Sequence, residues 1–253
     1  MSETSIGRHH RNFGSRQIYL PKRYNSNDNL NICDDGESKF RFKNSLIITP
    51  NYETEFESTG GIKYIKNHDD CVFFSGGGIS AMTNGVQKLP VMLKRGVNKL
   101  SSQKKLIVEE KYNYEEKYEI HQNIILHYEE NRVDFQISFV KNPNLETKDI
   151  TTEFMLSFYL PEISENTFEY KKFAEKDGRT QKFHEKLTPD GDGTGIEYIY
   201  ANIGKEHGMT IYPERKQRVA YKNRNMTFSV DNPPDLDKNY INVKFYLEKY
   251  KII

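Results

Sequence analysis

The sequence predicts a mainly β protein, an antiparallel β-sandwich with a projecting N-terminal helical arm. After about residue 40, apolar and polar residues alternate along one segment after another, as expected for strands that bury one face. Asn, Gly and Pro turns separate these segments, and this succession is typical of an antiparallel sandwich. The first 36 residues lack the alternation and are basic, aromatic and rich in Asn.

Residues 1–36 form the predicted N-terminal assembly arm, which ends at the turn signal Asp34-Asp35-Gly36. The arm has too few apolar side chains for a core of its own, so it is either a disordered tail or a segment that becomes ordered against other molecules. Ser2 or Thr4 could cap a short helix in its first half, which two internal glycines weaken.

Residues 37–253 form the predicted sandwich body. The longest alternating segments are 133–139, 154–160, 226–230 and 241–247, and shorter strand candidates are 40–48, 62–65, 72–75, 119–128 and 196–203. A polar excursion near residues 162–193 interrupts the pattern, and we expect a short helix in it around 170–176. No repeat of fixed period and no sharp change of composition indicates a second domain.

The composition favours a large core and self-association. The chain has 253 residues with 17 Tyr and 15 Phe, and these rings supply large buriable surfaces. Lys and Arg number 37 against 36 Asp and Glu, a formal charge of +1, which removes most of the repulsion between copies. No long basic stripe is present, so specific nucleic-acid binding is not expected.

The two cysteines, Cys33 and Cys71, are predicted to be free thiols. Their spacing does not match a Cys-x-x-Cys metal site. We find no signal peptide and no apolar run of 18 residues, so we expect a soluble intracellular protein with no membrane partner.

Three motifs suggest sites but fit structural roles better. Gly76-Gly77-Gly78 lacks the Gly-Lys-Ser/Thr ending of a phosphate loop, so a loop or bulge with positive φ is expected. Asp190–Gly195 departs from calcium-loop spacing and predicts a glycine turn. His121 and His127 would share a strand face yet lie about 20 Å apart, too far to share a metal. No catalytic arrangement stands out, so the sequence predicts neither an enzyme nor a required cofactor.

Tyr112, Tyr114 and Tyr118 lie among alternating Glu and Lys residues. One interpretation is a solvated charged segment. The other is an alkaline release: Tyr ionises near pH 10 and Lys discharges near 10.4, so alkali would make a nearly neutral chain strongly negative and drive an assembly apart.

The chain resembles the cypovirus polyhedrin family, whose members crystallise inside infected insect cells and occlude virus particles. The resemblance rests on residue order in the arm and on two short segments further along: Arg11-Asn12-Phe13-Gly14-Ser15-Arg16-Gln17, Tyr19, Tyr24-Asn25 to Leu30-Asn31, Lys117-Tyr118-Glu119-Ile120-His121-Gln122 and Thr194-Gly195-Ile196-Glu197-Tyr198.

The resemblance implies a structural viral protein that forms homotrimers and packs into intracellular crystals, located in occlusion bodies in the host cytoplasm. Such crystals embed virions, persist at neutral pH and dissolve in alkali. Some members hold nucleotides in the lattice, and no residue here is assigned to one. The resemblance makes Arg11, Phe13, Arg16, Tyr19 and Tyr24 the expected assembly residues.

Two other functions remain open from the sequence. One is a carbohydrate-binding or carbohydrate-processing sandwich, which would need exposed aromatic platforms and usually a carboxylate pair in a cleft; the absence of Trp weighs against it. The other is a phage or virion coat component, suggested by residues 89–96.

Overall fold

A computed structural model of the chain confirms the predicted β-sandwich. It describes the side chains of residues 45–98, 100, 103–127, 129–142, 152–161, 195–203, 207–214, 217–231 and 240–248, together with the backbone of additional strands. The predicted helix at the start of the arm lies outside the described residues. Among the described residues, no helix has the length and apolarity needed to cross a bilayer.

The described chain forms 21 strands. In chain order they are β1 Arg16–Tyr19, β2 Asn31–Asp34, β3 Lys39–Lys43, β4 Leu46–Ile48, β5 Tyr52–Phe56, β6 Ile62–Asn67, β7 Val72–Thr83, β8 Val86–Lys88, β9 Val91–Leu100, β10 Lys105–Tyr114, β11 Tyr118–His127, β12 Arg132–Lys141, β13 Thr152–Tyr159, β14 Phe168–Lys172, β15 Thr180–Phe183, β16 Lys186–Leu187, β17 Ile196–Ile203, β18 His207–Pro213, β19 Arg218–Lys222, β20 Asn225–Asp231 and β21 Asn239–Lys249.

These strands build two antiparallel sheets. The first sheet has ten strands in the order β1-β9-β10-β11-β12-β21-β18-β17-β14-β15. The second has eleven, in the order β16-β19-β20-β13-β7-β6-β5-β4-β3-β2, with β8 paired to β7. The order brings β21, at the end of the chain, between β12 and β18 in the centre of the first sheet.

Phenylalanines from both sheets meet in the core. Phe135 and Phe245 of the first sheet contact Phe74 and Phe158 of the second, with ring centroids 4.6 to 6.2 Å apart. All four rings are fully buried. Because side chains alternate along a strand, this contact fixes which residues of β12 and β21 point into the core and which point outwards.

The glycine run Gly76-Gly77-Gly78 lies within β7 as a bulge, as predicted, and does not end the strand. Gly76 and Gly77 have φ of 91° and 93°, and the pairing with β13 shifts register beside them. A Cβ on Gly77 would lie 3.0 Å from the rings of Phe135 and Phe158. Glycine is therefore required both by the backbone conformation and by the packing of the two sheets.

Two local predictions are wrong. A short helix is expected around 170–176, but the residues up to Lys172 belong to strand β14, which pairs with β15 and β17. Phe168 and Tyr170 alternate there with charged residues, and aromatic side chains favour strands. The strand expected over 40–48 divides into β3 and β4 near Ser45, whose φ of 71° reverses the chain.

Candidate functional site

Three tyrosines with neighbouring rings lie on the outer face of the first sheet, away from the core. Tyr198, Tyr212 and Tyr246 lie on β17, β18 and β21, each one position away from a residue that is buried between the sheets. We call this set the tyrosine platform. The ring centroids of Tyr198 and Tyr212 are 6.4 Å apart, and those of Tyr212 and Tyr246 are 5.5 Å apart. Tyr212 is 41% exposed.

Pairing across strands places these rings side by side. Ile199 of β17 pairs with Ile211 of β18, and Ile211 pairs with Phe245 of β21. The residues next to these buried partners therefore share the outer face. Tyr212 pairs with Lys244 and Tyr246 pairs with Thr210, so Tyr212 and Tyr246 are diagonal neighbours on adjacent strands. The row runs across the strands, not along one of them.

Arg132 continues the row onto β12. It pairs with Tyr246, and its guanidinium carbon lies 5.3 Å from the Tyr246 ring centroid, which is a cation–π contact. Its Nε and Nη2 donate hydrogen bonds of 2.7 and 2.6 Å to the two carboxylate oxygens of Asp134. This bidentate contact fixes the plane of the guanidinium beside the ring.

Asp134 is 3% exposed although it belongs to the outer face, because its neighbours cover it. His127 Nε2 lies 3.1 Å from its second carboxylate oxygen. Burial by itself raises the pKa of Asp134, but hydrogen bonds from His127 and Arg132 outweigh burial and hold that pKa below its ordinary value. Asp134 is therefore a charged residue that positions Arg132, and its lone pairs are already engaged.

Polar side chains border the platform. The Tyr200 hydroxyl donates to Asn202 Oδ1 at 3.1 Å, and the Thr210 hydroxyl donates to Glu248 Oε1 at 2.7 Å. Lys244 pairs across strands with both Tyr212 and Asp134. The surface thus combines aromatic faces with hydroxyl, amide and charged groups.

Burial and nearby side chains both act on the Tyr212 hydroxyl at the centre of the platform. Partial burial raises the pKa of the Tyr212 hydroxyl, and the nearby Tyr246, Glu248, Tyr198 and Glu197 raise it further. Each of these groups opposes the appearance of a negative charge on Tyr212.

The predicted alkaline-release residues Tyr112, Tyr114 and Tyr118 point into the core, with exposures of 2%, 1% and 7%. The prediction of a solvated charged segment is therefore wrong for the three tyrosines, which are buried. The segment is a hairpin of β10 and β11 in which tyrosines face inwards, while Lys111 and Glu119 form an ion pair of 2.7 Å on the outside.

Tyr112 belongs to a buried polar network that joins the two sheets. Its hydroxyl donates a hydrogen bond to the Glu110 carboxylate. The same carboxylate accepts a hydrogen bond of 2.7 Å from Arg95 Nε and one of 2.9 Å from the backbone N–H of Gly61. Burial raises the pKa of Tyr112 well above its ordinary value, and the charge of Glu110 adds to that rise.

The predicted assembly residues are divided by the structure. Arg16 and Tyr19 delimit β1, which pairs with β9 at the edge of the first sheet. Arg11, Phe13 and Tyr24 lie outside the described residues. Their role in assembly stays a prediction.

The histidine prediction holds in the structure, since His121 and His127 both lie on the outer face of β11. His121 contacts Glu119 at 2.5 Å, whereas His127 contacts Asp134. Among the residues that the structure describes, no group of three or more His, Cys, Asp and Glu side chains is arranged to hold a metal ion. Cys71 is a free, partly buried thiol whose pKa is raised by burial and by Asp69.

Comparison with known proteins identifies the fold and no family. No family model and no curated protein matches the chain. Among solved structures, the α-galactosidase from Lactobacillus brevis superposes with a TM-score of 0.51 at 6% sequence identity, over 81% of this chain and 39% of that one.

Two further solved structures have lower scores. A GH36 α-galactosidase, AgaB from Geobacillus stearothermophilus, gives a TM-score of 0.49 at 6% identity, over 88% of this chain and 41% of that one. Heparinase III gives 0.43 at 9% identity, over 90% and 37%. The chain thus spans about two fifths of the length of these proteins. At such identities the likeness is one of fold alone.

Proposed function

We propose that this chain is a carbohydrate-binding β-sandwich and that its ligand lies on the tyrosine platform. The observation that carries the proposal is the row of Tyr198, Tyr212 and Tyr246 on the outer face of the first sheet. A pyranose ring has an apolar C–H face that stacks on an aromatic ring and a rim of hydroxyls that needs polar partners. Tyrosine supplies a ring and a hydroxyl in one side chain, so the absence of Trp does not exclude this mode of binding.

Arg132 supports the proposal because its position is fixed before any ligand arrives. Its bidentate contact with Asp134 and its contact with Tyr246 leave little rotamer freedom to be lost on binding. A preorganised polar group beside stacked rings is the arrangement expected for a ligand with a few fixed hydrogen-bonding groups.

The proposal is one of binding, not of bond cleavage. Asp134, the carboxylate within the row, is buried and holds Arg132 and His127, so it is not free to transfer a proton to a ligand. The fold shared with an α-galactosidase makes a glycan the first class of ligand to test.

A glycan array probed with the full chain tests this function. We expect binding to at least one glycan class. The variant Tyr212→Ala removes the central ring of the platform and should lose about tenfold in affinity, equivalent to about 1.4 kcal/mol. Tyr159→Ala is the matched control, since Tyr159 is 49% exposed but lies on the second sheet. Equal loss in both variants, or no bound glycan, would contradict the proposal.

A second candidate function is self-assembly into intracellular crystals, as in cypovirus polyhedrin. The observation that favours it is an apolar patch at β8 and β9, formed by Val86, Leu89, Val91 and Leu93, with exposures of 57%, 76%, 65% and 42%. Exposed apolar side chains that are close in sequence are candidates for an association surface, and a net charge of +1 opposes association only weakly. In this proposal the patch binds another copy of the chain, in trimers that pack around virus particles in the cytoplasm.

Expression in insect cells tests the second candidate by light microscopy. We expect micrometre-scale crystals from the natural chain and none from Leu89→Glu, which places a charge in the apolar patch. Val140→Glu is the control, because Val140 is also exposed, at 41%, but lies on β12 outside the patch. If Leu89→Glu still forms crystals, the apolar patch is not the contact between copies of the chain. If the natural chain forms no crystals, this second candidate function is wrong.

A further inference from the structure

Thr210 lies between two tyrosines on the outer face of the first sheet. It pairs with Tyr200 of β17 on one side and with Tyr246 of β21 on the other. Directly paired residues have Cβ atoms about 5 Å apart, so the three side chains are immediate neighbours. Because Thr210 is much the smallest of the three, the space above it is open to another side chain.

Glu248 extends into this space. It follows Tyr246 by two residues on β21, so both side chains lie on the same face of the strand. Its own cross-strand partner is Gly208, which has no side chain to compete for the position. The Thr210 hydroxyl donates a hydrogen bond of 2.7 Å to Glu248 Oε1. The Glu248 carboxylate is therefore held beside Thr210 and next to Tyr246, a member of the tyrosine platform.

The Glu248 carboxylate differs from the Asp134 carboxylate in its partners. Arg132 and His127 engage both oxygens of Asp134, which is buried. Glu248 is partly exposed, and among the residues that the structure describes it accepts the hydrogen bond from Thr210 and has no cation within 4 Å. An ionised carboxylate has about four lone-pair positions, so one hydroxyl leaves most of its acceptor capacity available to a ligand.

A pair of neighbouring sugar hydroxyls matches this acceptor. Two hydroxyls on adjacent carbons of a pyranose ring can donate to the two oxygens of one carboxylate, and hydrogen bonds to an ionised acceptor are roughly twice as strong as those between neutral groups. Oε1 can take part as well, because an oxygen that accepts from Thr210 keeps a second lone pair. Tyr246 supplies an aromatic surface for the C–H groups of the same sugar unit.

We propose that Glu248, positioned by Thr210, accepts hydrogen bonds from two adjacent hydroxyls of a sugar unit that contacts Tyr246, and that the platform thereby selects glycans with a free vicinal diol. The inference rests on the proposed carbohydrate-binding function and adds the residue and the ligand group that determine its specificity. Glu248 contacts the ligand, whereas Thr210 acts through Glu248 and is a positioning residue.

The test of the ligand group uses the full chain and soluble glycans. A galactan and a mixed-linkage glucan are each used in native and in fully O-methylated form, and chitosan, whose sugar units carry an ammonium group, is the cationic comparison. We expect at least one native glycan to bind and its O-methylated form to bind at least about tenfold more weakly, because a methylated oxygen has no proton to donate. Affinity electrophoresis or calorimetry measures the ratio of the two affinities.

Variants assign this ratio to the carboxylate. Glu248→Gln keeps the size of the side chain but replaces one acceptor oxygen with a donor, so affinity for the native glycan should fall by at least about tenfold and the ratio should shrink. Thr210→Val should cause a smaller loss, about threefold, since the carboxylate remains but is no longer held. Glu55→Gln, which alters a carboxylate paired with Lys63 on the second sheet, should change neither quantity. Urea unfolding of each variant separates a loss of binding from a loss of folding.

The outcomes distinguish this inference from the function on which it rests. If Glu248→Gln binds the native glycan as tightly as the natural chain does, or if O-methylation has no effect, the vicinal-diol inference is wrong and carbohydrate binding stays in place. Chitosan that binds more tightly than either neutral glycan, and loses this binding in Glu248→Gln, would overturn the hydroxyl assignment in favour of a cationic group. No binding to any of these probes, together with an array without signal, would overturn the proposed function itself.

Discussion

At the residue scale, Gly77 combines two constraints that a matched variant can separate. Its φ of 93° disfavours any side chain, and its missing Cβ leaves room for Phe135 and Phe158. Gly85 also has a positive φ, 76°, but a Cβ there would meet nothing within 4 Å.

We therefore expect Gly85→Ala to lower the free energy of unfolding by about 1 kcal/mol through backbone strain alone. Gly77→Ala should lower it by about 1–3 kcal/mol more, because the methyl group overpacks the core. Urea unfolding of the two variants measures the difference. If both variants lose the same free energy of unfolding, the rings of Phe135 and Phe158 move aside for the new methyl group without an energetic cost.

The hydroxyl of Tyr112 predicts how stability depends on alkaline pH. In the unfolded chain a tyrosine ionises near pH 10, and in the folded chain burial and the charge of Glu110 raise the pKa of Tyr112 well above that. The folded state then holds its proton where the unfolded state has lost it. The contribution to stability is complete below about pH 10 and is lost as pH rises from the unfolded pKa towards the folded one.

Tyr112→Phe should therefore lower stability by about 2 kcal/mol at neutral pH, since a hydrogen bond to a buried carboxylate is lost. Between pH 9 and 11 its stability should fall less steeply than that of the natural chain, as measured by urea unfolding at each pH. Tyr159→Phe, altered at an exposed position, should follow the natural curve. An unchanged slope in Tyr112→Phe would contradict an alkaline role for this tyrosine.

At the element scale, the Arg95–Glu110 pair joins β9 and β10 of the first sheet to the β5–β6 turn of the second. Both side chains are buried, and Arg95 Nη2 also donates a hydrogen bond of 2.6 Å to the backbone carbonyl of Glu57. Removal of one partner leaves the other charge buried, so Arg95→Met and Glu110→Gln should each cost about 3–5 kcal/mol.

The double variant Arg95→Met, Glu110→Gln should cost clearly less than the sum of the two single costs, because neither charge remains. A double-mutant cycle by chemical unfolding gives this coupling energy. The matched pair Lys63→Met and Glu55→Gln, an exposed ion pair, should show a coupling below about 1 kcal/mol. Additive costs at Arg95 and Glu110 would show that the two buried charges do not stabilise each other.

Individual strands differ in how well alternation predicts them. Residues 133–139 and 241–247 carry aliphatic or phenylalanine side chains at every second position, so β12 and β21 follow from sequence. Alternation does not predict strand β10, because Tyr112 and Tyr114, which point into the core, lie among charged residues in the sequence. A tyrosine can face either the core or the solvent, and only tertiary packing decides which.

At the scale of the whole molecule, the tyrosine platform depends on long-range pairing. Each tyrosine of the platform occupies a solvent-facing position of its strand. For β17 and β21, the alternation of apolar and polar residues in the sequence is enough to predict that position. Their proximity requires that the last strand insert between β12 and β18 and pair in one particular register. A register slip of one residue would send Tyr246 into the core, so the apolar alternation of β21 excludes it. A slip of two residues keeps Tyr246 on the outer face but moves it away from Tyr212, and local sequence does not choose between these two registers.

The same architecture leaves the two candidate functions on different surfaces. The platform lies on β17, β18 and β21, whereas the apolar patch lies on β8 and β9. The two surfaces can therefore be altered separately, and Leu89→Glu should leave glycan affinity unchanged.

The most direct test of the central claim is an NMR titration of the chain, carrying ¹³C-labelled tyrosine rings, with a soluble neutral oligosaccharide. The proposed function predicts that saturable shifts are largest at Tyr198, Tyr212 and Tyr246 and absent at Tyr159 on the opposite sheet. Saturable shifts confined to other tyrosines, or an unperturbed platform under saturating glycan, would contradict it.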